Sequence, residues 1–277
     1  MPFFQMKPGP ASLDVSIVIP VYNEELNVES LSTEINRSME NAPWTWECLW
    51  VDDRSTDGTF EKLLRLHTAD PRHHALRLAA HEGQSAALAV GVSRSRGRYI
   101  ATLDGDGQSD PADVARLLAL LSENDLHVVN GRRARRPENF VRKASSRIAN
   151  AFRNAVTGDR VTDVGCSLRV FRREAVDGIF VFKGMHRFLP TLIKMNGYDK
   201  IAEISVSHRP RRYGRTKYGI SNRLWVGIAD TLAVRWMRGR IASPRVGESS
   251  ADEPLREGSR QLEHHYDTGP QGRGPGG

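Results

Sequence analysis

The chain has 277 residues, of which 39% are hydrophobic and 26% charged, and a net charge of +7. This is an ordinary globular balance, and the length suits one large α/β domain or two small ones. No apolar run reaches membrane-spanning length, and MPFFQMKPGPASLD lacks the basic start and apolar core of a secretory signal. Two distant cysteines, Cys48 and Cys166, form neither a disulfide framework nor a metal-site spacing, so both are expected to be buried thiols in a cytosolic chain.

Residues 1–13, with Pro8, Gly9 and Pro10, read as a flexible arm. Residues 15–20 (VSIVIP) form a short apolar run ending in Pro, the sign of a buried strand. Residues 25–39 have helical character, with Asn23 available as a cap. A second strand is expected over 47–51, running into DDRSTDGT, whose Ser, Thr and Asp suit the cap of a helix over 60–67. Strand 75–79, the Ala-rich helix 84–92, strand 99–103, helix 112–121 and strand 126–130 follow. Such alternation predicts a doubly wound, mostly parallel α/β sheet with ligand loops at the carboxyl ends of its strands. Residues 241–277 are polar and Gly-rich and read as a disordered tail, in which His264 and His265 are solvated rather than metal-bound.

The polar motifs fall at those strand ends. Asp104 and Asp106 in DGDGQ directly follow a strand, with Gly105 and Gly107 letting the backbone turn. Two such carboxylates suit a hard divalent cation, Mg²⁺ or Mn²⁺, and they equally suit an ordinary Asp-Gly turn. An EF-hand is excluded, because the sixth and twelfth positions counted from Asp104 are Ser109 and Ala115. PVYNE (Pro20 to Glu24) offers an aromatic ring and a carboxylate for a base or ribose, or simply a helix start. Asp52 and Asp53 could accept from a nucleoside, while Asp57 and Thr59 suit the turn.

PVYNE, VDDRSTDGT, HEGQSAAL and DGDGQSDP, in that order and spacing, resemble glycosyltransferase family 2 over residues 15–240. The resemblance implies a GT-A (Rossmann-like) domain over 14–218 that uses nucleotide-diphosphate sugars. It implies nucleotide-sugar contacts from Pro20, Tyr22, Glu24, Asp52, Asp53, Gly83, Gln84, Asp104 and Gly105. It also implies Mg²⁺ or Mn²⁺ held by Asp104, Asp106 and Gln108. DVGCSLR, which contains Asp163, and RYGRTKY, which contains Arg212 and Lys217, resemble segments of dolichol-phosphate mannosyltransferases and their undecaprenyl-phosphate relatives. Thr216 replaces the usual Ser, and Gly105 and Gly107 replace the Ala and Leu of the commoner DADLQ.

This subgroup implies an inverting transfer of a mannose- or glucose-type hexose to a polyprenyl phosphate. The implied catalytic group is Asp106, Arg132, Arg147 and Asp163, with Asp163 either orienting cations or acting as base. Arg132, Arg147, Arg212 and Lys217 are implied for the acceptor phosphate, which suits the bidentate Arg fork. The alternatives are a polysaccharide or other soluble acceptor and, in another class, a non-catalytic nucleotide-binding module. No zinc-finger or RNA-binding motif supports nucleic acid as a partner. Residues 219–240 form an amphipathic segment in which Ile220, Leu224, Ile228, Leu232 and Trp236 make one stripe, flanked by Trp225 and ended by Arg235, Arg238 and Arg240. The stripe suits either the core or a membrane interface. The expected location is therefore peripheral, at the cytoplasmic face of the membrane, with a separate membrane-protein partner as a further possibility.

Overall fold

A computed structural model describes residues 13–133, 150–159, 161–211 and 221–240, the last with side chains from residue 226 onward. Residues 1–12 of the proposed arm, the tail, Arg147, Arg212 and Lys217 lie outside the described residues, while Leu13 already belongs to the first strand. The chain divides into Met1–Gly239 and Arg240–Gly277, and every helix and strand of the described residues lies in the first unit.

The elements run β1 (Leu13–Val21), α1 (Val28–Glu40), β2 (Trp46–Asp52), α2 (Thr59–Ala69), β3 (His73–Arg77), α3 (Gln84–Arg94), β4 (Gly97–Thr102), α4 (Ala112–Glu123) and β5 (Val128–Arg133). A helix over residues 150–157 (α5) leads to β6 (Arg169–Arg172), then α6 (Leu189–Met195), β7 (Ile201–Val206) and α7 (Ser221–Arg238). Among the described residues seven strands pair in the order β3-β2-β1-β4-β6-β5-β7. All pairings are parallel except those of β6, which is antiparallel to both β4 and β5. The mostly parallel α/β sheet expected from the alternation is therefore present. The β6 insertion was not legible, because RVFR is too short to carry a period.

The central strands bury both faces, as a sheet covered on both sides requires. One core layer gathers Ile17, Trp50, Leu117 and Leu121, with α1 and α4 above them. The other gathers Val18, Leu88, Ile100, Phe171 and Ile193 beneath α3 and α6. Both cysteines are buried, and burial pushes the Cys48 and Cys166 thiols up. Gly91 lets α3 lie directly on the sheet, since a Cβ there would stand 2.3 Å from Val18 Cγ1. At the amino end of the sheet the buried Glu47 accepts from Ser16 Oγ (2.6 Å), the Arg96 amide (2.7 Å) and Arg96 Nε (2.8 Å), which ties β1, β2 and the α3–β4 turn together.

Helix α1 begins at Val28 rather than near residue 25. Asn23 does not cap it: Asn23 sits in the left-handed region (φ 51°), and its side chain belongs to another loop.

His73 is fully buried, accepting at Nδ1 from Trp50 Nε1 (3.0 Å) and donating through Nε2 to Asn36 Oδ1 (2.8 Å). Burial lowers its pKa to about 4. The unfolded chain, with an ordinary imidazole near 6.5, binds the proton first, so this contribution to stability is complete above about pH 6.5 and lost as pH falls toward 4. Between pH 7 and pH 5 the wild type should lose roughly 2 kcal/mol more unfolding free energy in urea than His73→Gln, at 1.4 kcal/mol per pH unit. Parallel pH profiles for the two proteins would refute this.

Candidate active site

The carboxyl ends of β1 and β2 are knitted by side chains from both following loops. The Asn23 amide donates to Ser55 Oγ (2.8 Å), and Asn23 Oδ1 accepts from the Thr56 amide (2.8 Å). The Glu24 amide donates to Thr59 Oγ1 (2.9 Å), and its nearly buried carboxylate accepts from Asn27 Nδ2 (2.7 Å). Asp52 is fully buried; it pairs with Arg77 Nε (3.0 Å) and accepts from the Ser55 amide (3.1 Å). Its carboxylate thus shapes the DDRST loop.

Asp53 does similar work across the next gap. Its two oxygens accept from the amides of Glu82 (2.8 Å) and Gly83 (2.9 Å), and His81 Nδ1 lies 2.9 Å from Oδ2. The His81 ring stacks on Tyr22 at 4.3 Å between centroids. Gly83, at φ 91°, delivers the chain into α3, and the first residue of that helix, Gln84, donates to Asp104 Oδ1 (2.9 Å).

The DGDGQ loop follows β4. A Cβ on Gly105 would stand 2.5 Å from Val21 Cγ1, so glycine lets the loop lie over the end of β1 without displacing Val21. Burial first, and the charge of Asp106 second, push the Asp104 carboxyl up to about 6, although a hydrogen bond with Ser167 opposes this. Asp106 holds the Gln108 amide (3.1 Å) and pairs with Arg211 Nη2 at 2.7 Å. Burial works against the Arg211 charge, but Asp106, with Glu24 and Asp104 behind it, raises its pKa. Arg211 is placed by backbone pairing: the Arg209 amide donates to the Gln108 carbonyl (2.8 Å), and Ser109 bridges to His208.

On β5 the two arginines point to opposite faces. Arg132 is exposed and donates to Ser205 Oγ (3.1 Å), while Arg133 turns inward to a bidentate pair with Asp163 (2.6 and 2.7 Å). Asp163 is therefore the ion-pair partner of Arg133. Beneath Asp104, Thr102, Arg169, Asn130 and Glu203 lie in register across β4, β6, β5 and β7. Arg169 is buried, donates to the carbonyls of Cys166 (2.6 Å) and His186 (2.8 Å), and ties the DVGCSLR segment to the 3-10 turn at Met185–Arg187.

Pro20, Tyr22, Glu24, Asp52, Asp53, Gly83, Gln84, Asp104, Gly105, Asp106 and Gln108 thus gather along one edge of the sheet, and Arg132 and Asp163 stand at the β5 side. His81 in HEGQSAAL, Arg169 in DVGCSLR, and Arg133 and Arg211 in the two basic clusters lie in segments the sequence marks, but the sequence does not single them out as site residues. Strand alternation separates Arg133 from Arg132. No local signal names the partners of His81 or Arg211, which lie 28 and 105 residues away.

Among the described residues no three His, Cys, Asp or Glu side chains group as metal ligands. The donor set nevertheless fits a hard cation. Burial first, and then the neighbouring Asp106, raise the Asp104 pKa, and Asp106 draws a guanidinium, a pattern that a divalent charge would relieve.

The family model "Glycosyl transferase family 2" matches residues 16–180, more than half of the chain. A dodecaprenyl-phosphate galacturonate synthase of Rhizobium johnstonii is 35% identical over 238 residues, covering 84% of this chain and 70% of that protein. An undecaprenyl-phosphate 4-deoxy-4-formamido-L-arabinose transferase of Proteus mirabilis is 34% identical over 205 residues, covering 74% of this chain and 62% of that protein. The chain thus spans less than two thirds of the second relative. A glucosyl-3-phosphoglycerate synthase from Mycobacterium tuberculosis, solved with Mn²⁺, UDP and product, shares the fold with a TM-score of 0.57 at 19% identity, covering 84% of this chain and 82% of that one. Sheet order, strand-end carboxylates and these matches converge: the chain belongs to glycosyl transferase family 2 and is a glycosyltransferase with the GT-A fold.

Proposed function

We propose that the chain transfers a hexosyl residue, with inversion, from a nucleotide-diphosphate sugar to a polyprenyl phosphate. The observation that carries the reading is the Asp104–Asp106 carboxylate pair at the end of β4, already drawing a cation at 2.7 Å. The names of the two relatives differ in sugar but share a polyprenyl phosphate acceptor.

In this reading Asp104, Asp106 and Gln108 hold Mg²⁺ or Mn²⁺. The cation, when bound, neutralises charge developing on the departing nucleotide diphosphate. Tyr22 and Glu24 serve the nucleoside, with Pro20, Gly83 and Gly105 giving backbone close approach. Asp52 and Asp53 act through the loops they hold, and Gln84 fixes Asp104. Arg211 is positioned to move from Asp106 to the diphosphate. The acceptor phosphate, ionised at neutral pH, attacks the anomeric carbon directly and needs no strong base. Arg132, Arg147, Arg212 and Lys217 guide it, with Arg133 held in place by Asp163.

No helix among the described residues is long and apolar enough to cross a membrane. Helix α7 supports peripheral attachment instead. Thr231 and Val234 face the core, while Val226, Leu232 (53% exposed) and Trp236 (64% exposed) face outward beside Arg235. Of the expected stripe, then, Leu232 and Trp236 are on the exposed side, and a different face does the packing.

Asp106→Asn keeps the size of the side chain and removes the charge a hard cation needs. Transfer from a radiolabelled nucleotide sugar to undecaprenyl phosphate should fall at least about a hundredfold, in line with the several kcal/mol a metal contributes. Mn²⁺ binding by electron paramagnetic resonance should weaken in parallel. A chelator-treated wild type with full activity would exclude the metal assignment, and label recovered only in water-soluble product would exclude the lipid acceptor.

Asp163→Ala leaves the Arg133 guanidinium without its bidentate partner. It should lower unfolding free energy by about 3 kcal/mol, and the added change Arg133→Met should recover most of that loss. An activity loss at unchanged stability would instead make Asp163 a base.

Wild-type protein should sediment with anionic liposomes at low salt and less well at high salt, since both apolar burial and roughly 1 kcal/mol per basic residue contribute. Leu232→Ser with Trp236→Ser should reduce binding without lowering the melting temperature, because neither side chain is packed in the core. A lower melting temperature with unchanged liposome binding would place the stripe in the fold.

A further inference from the structure

The 3-10 turn Met185–Arg187, just before α6, is connected both to the donor carboxylates and to helix α7. Toward the carboxylates it makes two connections. Ser85, buried in the first turn of α3, holds the turn with its hydroxyl: Oγ lies 2.9 Å from His186 Nδ1 and accepts from the Gly184 amide at 3.2 Å. Ser85 directly follows Gln84, whose side chain donates to Asp104 Oδ1 (2.9 Å). The second connection is Arg169, which donates to the His186 carbonyl (2.8 Å) and whose charge acts on Asp104.

Toward α7 the same turn makes two more. A Cβ on Gly184 would stand 2.7 Å from Asp230 Oδ2, so this glycine, at φ 90°, seats the Asp230 carboxylate of α7 against the turn. Arg153 of α5 donates to the Arg187 carbonyl (3.1 Å), and Arg238, in the last turn of α7, donates to the Thr157 carbonyl at the end of α5 (2.7 Å). The route from α7 through the turn, Ser85 and Gln84 to Asp104 is therefore unbroken among the described residues. Otherwise α7 docks by little. Of its side chains from residue 226 onward, only Thr231 and Val234 are buried. An element with so few buried contacts loosens easily.

We infer that Ser85 is a positioning residue that couples the seating of α7 on a membrane to the donor site: with α7 docked, the 184–187 turn holds Ser85, and Ser85 holds the first turn of α3 where Gln84 meets Asp104. The element with two arrangements is α7, docked or loosened. A membrane shifts that balance only if it binds one arrangement better. Docking holds the exposed Val226, Leu232 and Trp236 on one fixed helix, and a preorganised apolar face binds at a lower ordering cost. The docked arrangement is thus the one a membrane selects, and it is also the one that keeps the turn on Ser85. Such coupling is reciprocal, so nucleotide strengthens membrane association by the same factor. This inference rests on the nucleotide-sugar and peripheral-membrane readings and adds a link between the two sites.

The test measures binding of radiolabelled UDP and GDP by equilibrium dialysis at fixed Mg²⁺, with and without vesicles of phosphatidylglycerol and phosphatidylcholine that carry no polyprenyl phosphate. Whichever nucleotide the wild type binds should bind at least about fivefold more tightly with vesicles, the lower end of the usual range for coupled sites. Sedimentation with vesicles should strengthen by the same factor when that nucleotide is added. Ser85→Ala removes the hydroxyl from both of its contacts with the turn. It should sediment with vesicles like the wild type and, without vesicles, bind nucleotide within about threefold of it, yet lose the vesicle effect. A merely structural Ser85 would weaken binding equally with and without vesicles, and an enhancement that survives in Ser85→Ala overturns the inference. Where Ser85→Ala melts lower than the wild type, Arg238→Met decides instead, because it cuts the α7–α5 connection and leaves Ser85 in place. A full vesicle effect in Arg238→Met overturns the inference. So does a wild type that binds nucleotide and vesicles with neither affecting the other. A wild type that binds neither nucleotide, or no vesicles, rejects the corresponding reading and the inference with it, which is distinct from two sites filled independently.

Discussion

The Asp53 carboxylate holds the Glu82 and Gly83 amides and the His81 ring at once, and the crevice is arranged from that point. A buried carboxylate must be satisfied where it stands, because removing it from water without partners is costly. Asp53 meets this demand with the loop that enters α3. That fixes Gln84, and Gln84 in turn donates to Asp104. The β2 end and the β4 end are thereby connected through the first turn of a helix belonging to neither strand. Asp52 and Asn23 repeat the device on a smaller scale, tying the β1 and β2 loops to one another.

The opposite half of the site solves a different electrostatic problem. Burial and the neighbouring Asp106 raise the Asp104 pKa, so the two acids disfavour each other's charge. Arg211 relieves part of this from a segment that runs beside the DGDGQ loop by backbone pairing. Antiparallel β6 supplies the remaining floor. By inserting between β4 and β5 it brings Arg169 and Ser167 beneath and beside Asp104, and its buried guanidinium secures the chain on both sides of the site.

Helix α7 shows how one amphipathic segment serves two environments. A narrow face holding Thr231 and Val234 packs against the domain, and Arg238 donates to the Thr157 carbonyl at the end of α5. The wider apolar side stays outside, with Leu232 and Trp236 exposed. Its apolar pattern alone does not say which face packs, because either stripe satisfies the helical period.

What the sequence by itself determined was the alternation of strands and helices, the α/β class, and the placement of PVYNE, DDRSTDGT and DGDGQ at strand ends. These follow from local period and turn chemistry, which act over a few residues. The tertiary structure alone decided which polar groups are consumed by the fold and which remain for a ligand. Asp52 and Asp53, expected at the nucleoside, also serve the fold, their oxygens engaged by Arg77, Ser55, Glu82, Gly83 and His81. The sequence leaves the partner of Asp163 open, and the pleat turns Arg133 to it. The position of β6 and the reach of Arg211 to Asp106 depend on pairings between segments far apart in sequence. No local pattern encodes those, because a hydrogen-bond or ion-pair partner is chosen by proximity in the folded sheet rather than along the chain.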